Sequence, residues 1–277
     1  MTFETAPQGL PLTLIAALLV PAVVAQDAAV LRRYDAPVAT QAVAVDPHCF
    51  FAIGNRRVAQ HARSTGAVLR HWTASESMPL EHLNSGVVLD GKLYCAHSNF
   101  PRYPETSSVE VWDAQTLEHV ESHSLGIAAG SLTWIDSHDG AWWGVFAHYT
   151  APVNDDPHAR DARWTSLVRF DRRWRRTGGW VFPAEVLGRF EPHSCSGGAW
   201  GANGRLYCTG HDRGELYELE LPAAGAELVL RRTIAAPLTG QGFAWDPGRP
   251  GVLLGIDRPR RQVLELRIEL AGGQSNP

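Results

Sequence analysis

The sequence predicts an all-β fold, a five-bladed β-propeller, on three observations. An inner-strand pattern recurs at blade spacing, short apolar strands alternate with Gly, Pro and Asp turns, and an N-terminal segment matches the strand missing from the last repeat. The inner pattern reads QAVAVD (Gln41 to Asp46), SGVVLD (Ser85 to Asp90), SLTWID (Ser131 to Asp136), SGGAWG (Ser196 to Gly201) and QGFAWD (Gln241 to Asp246). Its last residues lie 44, 46, 65 and 45 positions apart, the length of a four-stranded blade with an insertion in the third.

Each inner run is followed by a turn and a second β-rich run: CFFAIGN, KLYCAHSN, AWWGVFAH, RLYCTGHD and VLLGID. Third runs with alternating apolar residues follow, as in SVEVWD (Ser108 to Asp113), SLVRFD (Ser166 to Asp171), ELYELEL (Glu215 to Leu221) and QVLELRI (Gln262 to Ile268). No helical period stands out. The fifth repeat ends after its third strand, and LRRYDAP (Leu31 to Pro37) echoes LRRTIAAP (Leu230 to Pro237), the outer strand of the fourth. The N-terminal strand is therefore expected to complete the last blade and close the ring. A sixth blade hidden between Thr150 and Gly201, or a β-sandwich, are the alternatives. Trp134, Trp200 and Trp245 hold related places in the inner strands, where large rings fill the wedge between blades.

Length and composition agree with one such domain. The chain has 277 residues, 44% of them hydrophobic, enough for a large core. The apolar run Leu10 to Ala25, with small residues at Val23 and Ala25, reads as a signal peptide over residues 1–25, followed by a single propeller over 26–277. At 16 residues it is short for a membrane span. A periplasmic or secreted monomer with no membrane contact after cleavage is expected. Formal net charge is −4, so the chain lacks the global positive field that would hold nucleic acid by counterion release. Cys49, Cys95, Cys195 and Cys208 would permit two disulfides, but apolar surroundings favour buried thiols.

The candidate chemistry lies where propeller topology gathers residues. Starts of inner strands and ends of second strands share one face around the axis. Five of the twelve histidines fall there: His82 and His193 ahead of inner strands, and His97, His148 and His211 at second-strand ends, with Asp212 and Asp257 beside them. Imidazole and carboxylate together suit a divalent metal, for which His82, His193, His211 and Asp212 are the expected ligands. Imidazole also titrates near neutrality, so His97, His148 and His211 are candidates for proton transfer. The alternative is structural: a strand-end histidine that bonds a backbone carbonyl or a neighbouring blade. No HExxH motif, glycine-rich phosphate loop or GxSxG elbow occurs, and no nucleotide cofactor is expected.

Two loops frame the same mouth. Asn99, Phe100, Arg102 and Tyr103 lie in NFPRYPETSS (Asn99 to Ser108), and Asp257 and Arg258 open a third connection. These groups suit a small polar or anionic molecule. The connection from Thr150 to Trp164, with Asp155, Asp156, His158, Arg160, Asp161 and Arg163, has the length of a binding loop.

The stretches HSNFP (His97 to Pro101), SSVEVWD (Ser107 to Asp113), GSLTWID (Gly130 to Asp136), RLYCTGHD (Arg205 to Asp212) and GVLLGIDR (Gly251 to Arg258) resemble a group of bacterial propellers labelled "cycloisomerase". The resemblance spans nearly all of residues 26–277 and identifies the group, while its label carries little about the reaction; lyase, cyclase or lactone-hydrolase chemistry would fit the histidine-rich mouth. In architecture the chain is also similar to five-bladed glutaminyl-cyclase propellers, although no motif here carries over that family's catalytic carboxylates. Two functions compete: an extracytoplasmic enzyme with a His-rich site, and a non-catalytic propeller that binds a ligand or protein.

Overall fold

In the computed structural model, which describes residues 28–127, 129–150 and 158–270, the chain forms five four-stranded antiparallel sheets. The expected leader, 1–25, and residues 151–157 of the long connection lie outside the described residues. Blade one comprises β2 (Ala42–Val45), β3 (Cys49–Gly54), β4 (Arg57–Ala62) and β5 (Val68–Thr73). Blade two comprises β6 (His82–Leu89), β7 (Lys92–Ser98), β8 (Ser107–Asp113) and β9 (His119–Gly126). In blade three the order is β10 (Ser131–His138), β11 (Ala141–Ala147), β12 (Ser166–Phe170) and β13 (Arg176–Val181). Blade four has β14 (Gly197–Trp200), β15 (Leu206–Thr209), β16 (Glu215–Glu220) and β17 (Val229–Ala235).

Blade five closes the ring. Its three inner strands are β18 (Ala244–Trp245), β19 (Val252–Asp257) and β20 (Gln262–Ile268), and its outer strand is the N-terminal β1 (Ala28–Asp35), antiparallel to β20 from Ala28↔Ile268 to Asp35↔Gln262. The sixth-blade alternative is thereby removed. What stands between blades three and four is a 3₁₀ turn at Ala162–Trp164 and a helix, α1 (Ala184–Phe190). α1 buries Val186 and Phe190, one turn apart, against the wedge of blades three and four.

Strands read as continuous apolar runs because both faces of each blade are covered. In β3, Phe51 and Ile53 pack toward blade two, whereas Phe50 and Ala52 pack toward blade five. In β19, Leu253 faces blade four and Leu254 and Ile256 face blade one. Period-two alternation therefore assigns residues to opposite neighbours rather than to core and solvent. Five apolar clusters result, one for each blade interface. Trp134 is fully buried in the wedge of blades three and four, against Gly198, and Trp200 is buried beside it; Trp245 is half-buried. The four cysteines are free thiols, three of them buried.

Glycine sets the approach of the inner strands. A Cβ on Gly242 would lie 2.5 Å from the Ala42 Cβ and 2.8 Å from the Ser85 Cβ, so inner strands from three blades meet at that level of the axis. Among the described residues no helix is long and apolar enough to cross a membrane.

Candidate functional site

Antiparallel pairing brings the start of each inner strand beside the end of its second strand. His82 at the start of β6 pairs with Ser98 at the end of β7, and Gly197 at the start of β14 pairs with Thr209 at the end of β15. This edge of the five blades is the upper mouth of the axis. His193, in the connection from α1 to β14, and His211, just past β15, consequently meet.

Their rings stack with centroids 3.9 Å apart and planes inclined by 26°. Both engage one carboxylate: His193 Nδ1 lies 2.8 Å from Asp212 Oδ2, and His211 Nδ1 lies 2.6 Å from Oδ1. Across the mouth, Arg258 Nη1 donates to His211 Nε2 at 3.2 Å. A guanidinium only donates and a carboxylate only accepts, so His211 is the neutral Nδ1–H tautomer with its Nε2 lone pair toward Arg258. Burial lowers the His211 pKa, with His193 and Arg258 adding to the effect against the attraction of Asp212. Burial works to raise the Asp212 carboxyl, but the two imidazole bonds outweigh it and hold the group below its ordinary range.

His193, His211 and Asp212 each offer a ligand atom, all within 4.8 Å of one another. Two imidazoles and a carboxylate form a donor set suited to zinc, iron or another divalent transition metal. The fourth expected ligand, His82, lies close enough to feel the charges of His211 and Arg258 but stands outside this trio. Burial foremost, then the charges of His97 and Arg258, push the His82 pKa down to about 4. Its ring packs on Phe100 at 5.1 Å, and Phe100 packs on Tyr149 at 4.9 Å. Burial pushes the Tyr149 hydroxyl up. The result is a neutral imidazole in an aromatic wall.

Other expected site residues are held by internal partners. His97 accepts the Glu81 N–H at Nε2 (3.1 Å) and bonds Ser108 Oγ through Nδ1 (2.9 Å). Ser108 in turn donates to Glu110, a buried carboxylate that also takes His119 and Ser122. His97 thus heads a polar network running outward through blade two, with both ring nitrogens engaged. His148, 3% exposed, bonds Glu105 at 3.2 Å, and its Nε2 abuts Gly130, where a Cβ would stand only 2.7 Å away. Asp257 is buried and fixes its own loop by accepting from Arg260 N and Nη1.

Asn99 staples the second-blade loop, donating to the Pro104 carbonyl and accepting the Thr106 N–H. Arg102, 70% exposed on its side chain, pairs with Glu81 at 2.8 Å. Tyr103 donates to the His158 carbonyl at 2.8 Å, tying this loop to the long third-blade connection. Within that connection Asp161 caps the 3₁₀ turn and bonds Arg163, while Arg160 lies over the Trp164 ring at 4.7 Å. Asp155 and Asp156 lie outside the described residues.

Sequence reasoning misses Tyr149 and Glu105 at this mouth; Tyr149 directly follows His148 just past the end of β11, a place where β7, β15 and β19 offer histidine or aspartate. It also misses a neighbouring basic hollow of about 410 Å³, lined by Gln41, Asn55, Arg56, Arg57, Arg258 and Arg261. Arg258 belongs both to this hollow and to the histidine cluster. The surroundings of the cluster therefore favour a negatively charged molecule.

No protein-family model matches the chain, and no curated protein sequence matches it. Solved structures do. A PQQ-bound aldose sugar dehydrogenase from Streptomyces coelicolor superposes with a TM-score of 0.50 at 11% identity, covering 87% of this chain and 98% of that one. Hydrazine synthase of Kuenenia stuttgartiensis gives 0.46 at 12% identity over 81% of this chain and 70% of its own. A luciferin-regenerating enzyme gives 0.45 at 10% identity over 87% and 94%. At 11% identity the likeness to the first of these is one of fold alone.

Proposed function

We propose that the chain is an extracytoplasmic propeller enzyme acting on a small polar or anionic substrate at the upper mouth. The observation that carries this reading is the convergence of His193, His211 and Asp212 with Arg258. Arg258, backed by the basic hollow, binds a carboxylate or similar group of the substrate. The trio holds a divalent metal, which when bound polarises a carbonyl or lactone oxygen. His82 stays uncharged at neutral pH and accepts a hydrogen bond or proton from the substrate, beside the apolar face of Phe100. Lyase, cyclase or lactone-hydrolase chemistry fits these roles, in keeping with the resemblance to propellers labelled "cycloisomerase".

Elemental analysis of the purified chain tests the metal. Stoichiometric zinc, iron or manganese that is lost in both His193→Ala and His211→Ala, with circular dichroism unchanged, is the expected result. A metal-free protein that takes up none of these ions would sink it.

A second reading follows from one specific observation: both oxygens of Asp212 already have imidazole partners, so the cluster is complete without an ion. In that case His193, His211 and Arg258 form a metal-free anion-binding site and the propeller binds without catalysis. Retention of a carboxylate ligand by metal-stripped protein, lost on Arg258→Ala, is its signature.

A further inference from the structure

The axis opens at its other end into a larger cavity of about 510 Å³, on which all five inner strands converge. Its size is that of a site for a small organic molecule. The packing of Gly242 on Ala42 and Ser85 narrows the axis between this lower mouth and the histidines, so the two openings are distinct places on the fold.

Four of the five repeats end their inner run in aspartate: Asp46, Asp90, Asp136 and Asp246. Asp246 is neutralised by Arg63 and Arg249. The other three line the cavity, and none of them has an ion-pair partner among the described residues. No Lys or Arg lines it either. Asp136 is held in place by the N–H groups of Ser137 and Trp200, yet burial still pushes its carboxyl up to about 6, as expected where no cation offsets the lost solvation.

Two indoles complete the walls. Trp200 and Trp245 both line the cavity, and Trp200 is fixed by His138, stacked on it at 4.3 Å with planes 7° apart. Asp90 is exposed at the rim, Asp136 and Trp245 are half-buried, and Trp200 keeps one face under His138; carboxylates without counter-charge in such a hollow repel anions and gain nothing from neutral molecules. The same combination is favourable for a cation with an apolar body.

We propose that the lower cavity is a binding site for a small organic ammonium ion, its charge toward Asp90 and Asp136 and its body against Trp245 and Trp200. Calorimetric titration of the full chain with choline, and with its neutral carbon isostere 3,3-dimethylbutan-1-ol, tests this. Choline is expected to bind about two- to fivefold more tightly than the isostere, the size of a cation–π contribution at a part-exposed site. Asp90→Asn and Trp245→Phe are expected to weaken choline, and His211→Ala to leave it unchanged. Asp90 sits at φ 49°, a conformation asparagine tolerates equally, so that variant keeps the fold. Equal binding of the two probes, binding of neither, or indifference to Asp90→Asn would overturn the assignment. Because the upper-mouth variant is read in the same experiment, failure here is separate from failure of the proposed function.

Discussion

His193 and His211 lie face to face and present their Nδ1 atoms to opposite oxygens of the same carboxylate, that of Asp212. The pair originates on two segments, the approach to β14 and the exit from β15, which only the closed hairpin of blade four brings together. Asp212 is thus the group on which both imidazoles depend. Asp212→Asn keeps the size but leaves one accepting oxygen, so one ring loses its partner. Because Asp212 is itself one of the three donors, we expect metal affinity, measured by chelator competition, to fall by more than the about 10- to 100-fold that follows loss of an outer hydrogen-bonded partner.

Arg258 supplies the positive charge nearest the cluster. Arg258→Ala should raise the KM for an anionic substrate, or the Kd of a carboxylate probe, by about 10- to 100-fold, since a charge-assisted bond is worth about 1.5–3 kcal/mol. It should also let the His211 pKa rise, because the guanidinium is one of the charges that lowers it. Titration with the carboxylate probe will report the first, and imidazole proton or nitrogen shifts followed over pH the second.

His82 titrates in the same experiment. Its folded pKa of about 4 lies below the ordinary 6.5, so the native state binds the proton less readily than the unfolded chain. Its contribution to stability is therefore fully present above about pH 6.5 and is lost as pH falls toward 4, by at most about 3 kcal/mol. Asp136, raised to about 6, works in the opposite sense over an overlapping window, so the His82 resonance itself is the measurement that isolates the effect. A midpoint near 6.5 would contradict the buried placement.

The blade junctions make a separate prediction. Arg63 of blade one reaches Asp246 of blade five, and this bond, with Arg249, holds the Asp246 carboxyl at about 2 against the raising effect of burial. Arg63→Met should cost about 1.5–3 kcal/mol, because it removes one charged bond to the buried carboxylate while Arg249 and the Gly248 N–H still hold it. The double variant Arg63→Met, Asp246→Asn should cost less than the single change. Chemical denaturation of the three proteins will decide it.

Close approach at the axis is equally open to test. A Cβ on Gly198 would fall 2.3 Å from the Trp134 ring, which is fully buried and has nowhere to move. Gly198→Ala is expected to destabilise by about 1–3 kcal/mol, read as a lower Tm.

Much of the ring was legible because each blade is buried on both faces. Runs such as VLLGID announce themselves as strands, and the aspartate that closes four of the five inner runs marks the repeat. Helix α1 was not legible: seven residues with Val186 and Phe190 as its buried stripe are too few to establish a period. At the site, strand ends told which histidines reach the mouth but not which way they turn. His193 and His211 turn toward each other. His97 and His148 turn into the blades, where Ser108 and Glu105, remote in sequence, take their ring nitrogens. Parity at the last residue of a strand, and the partners waiting on either side, are properties of packing that a local pattern does not encode.

Among the described strands β1 is made first on the ribosome, and its partner β20 emerges last. Four blades can assemble during synthesis, whereas the fifth must wait for its oldest piece to find its newest. Until then β20 presents an open edge and β1 has no sheet to join, an interval in which another copy's β1 fits as well as the chain's own. The latch that completes the ring is therefore also the element by which two chains would exchange strands at high concentration.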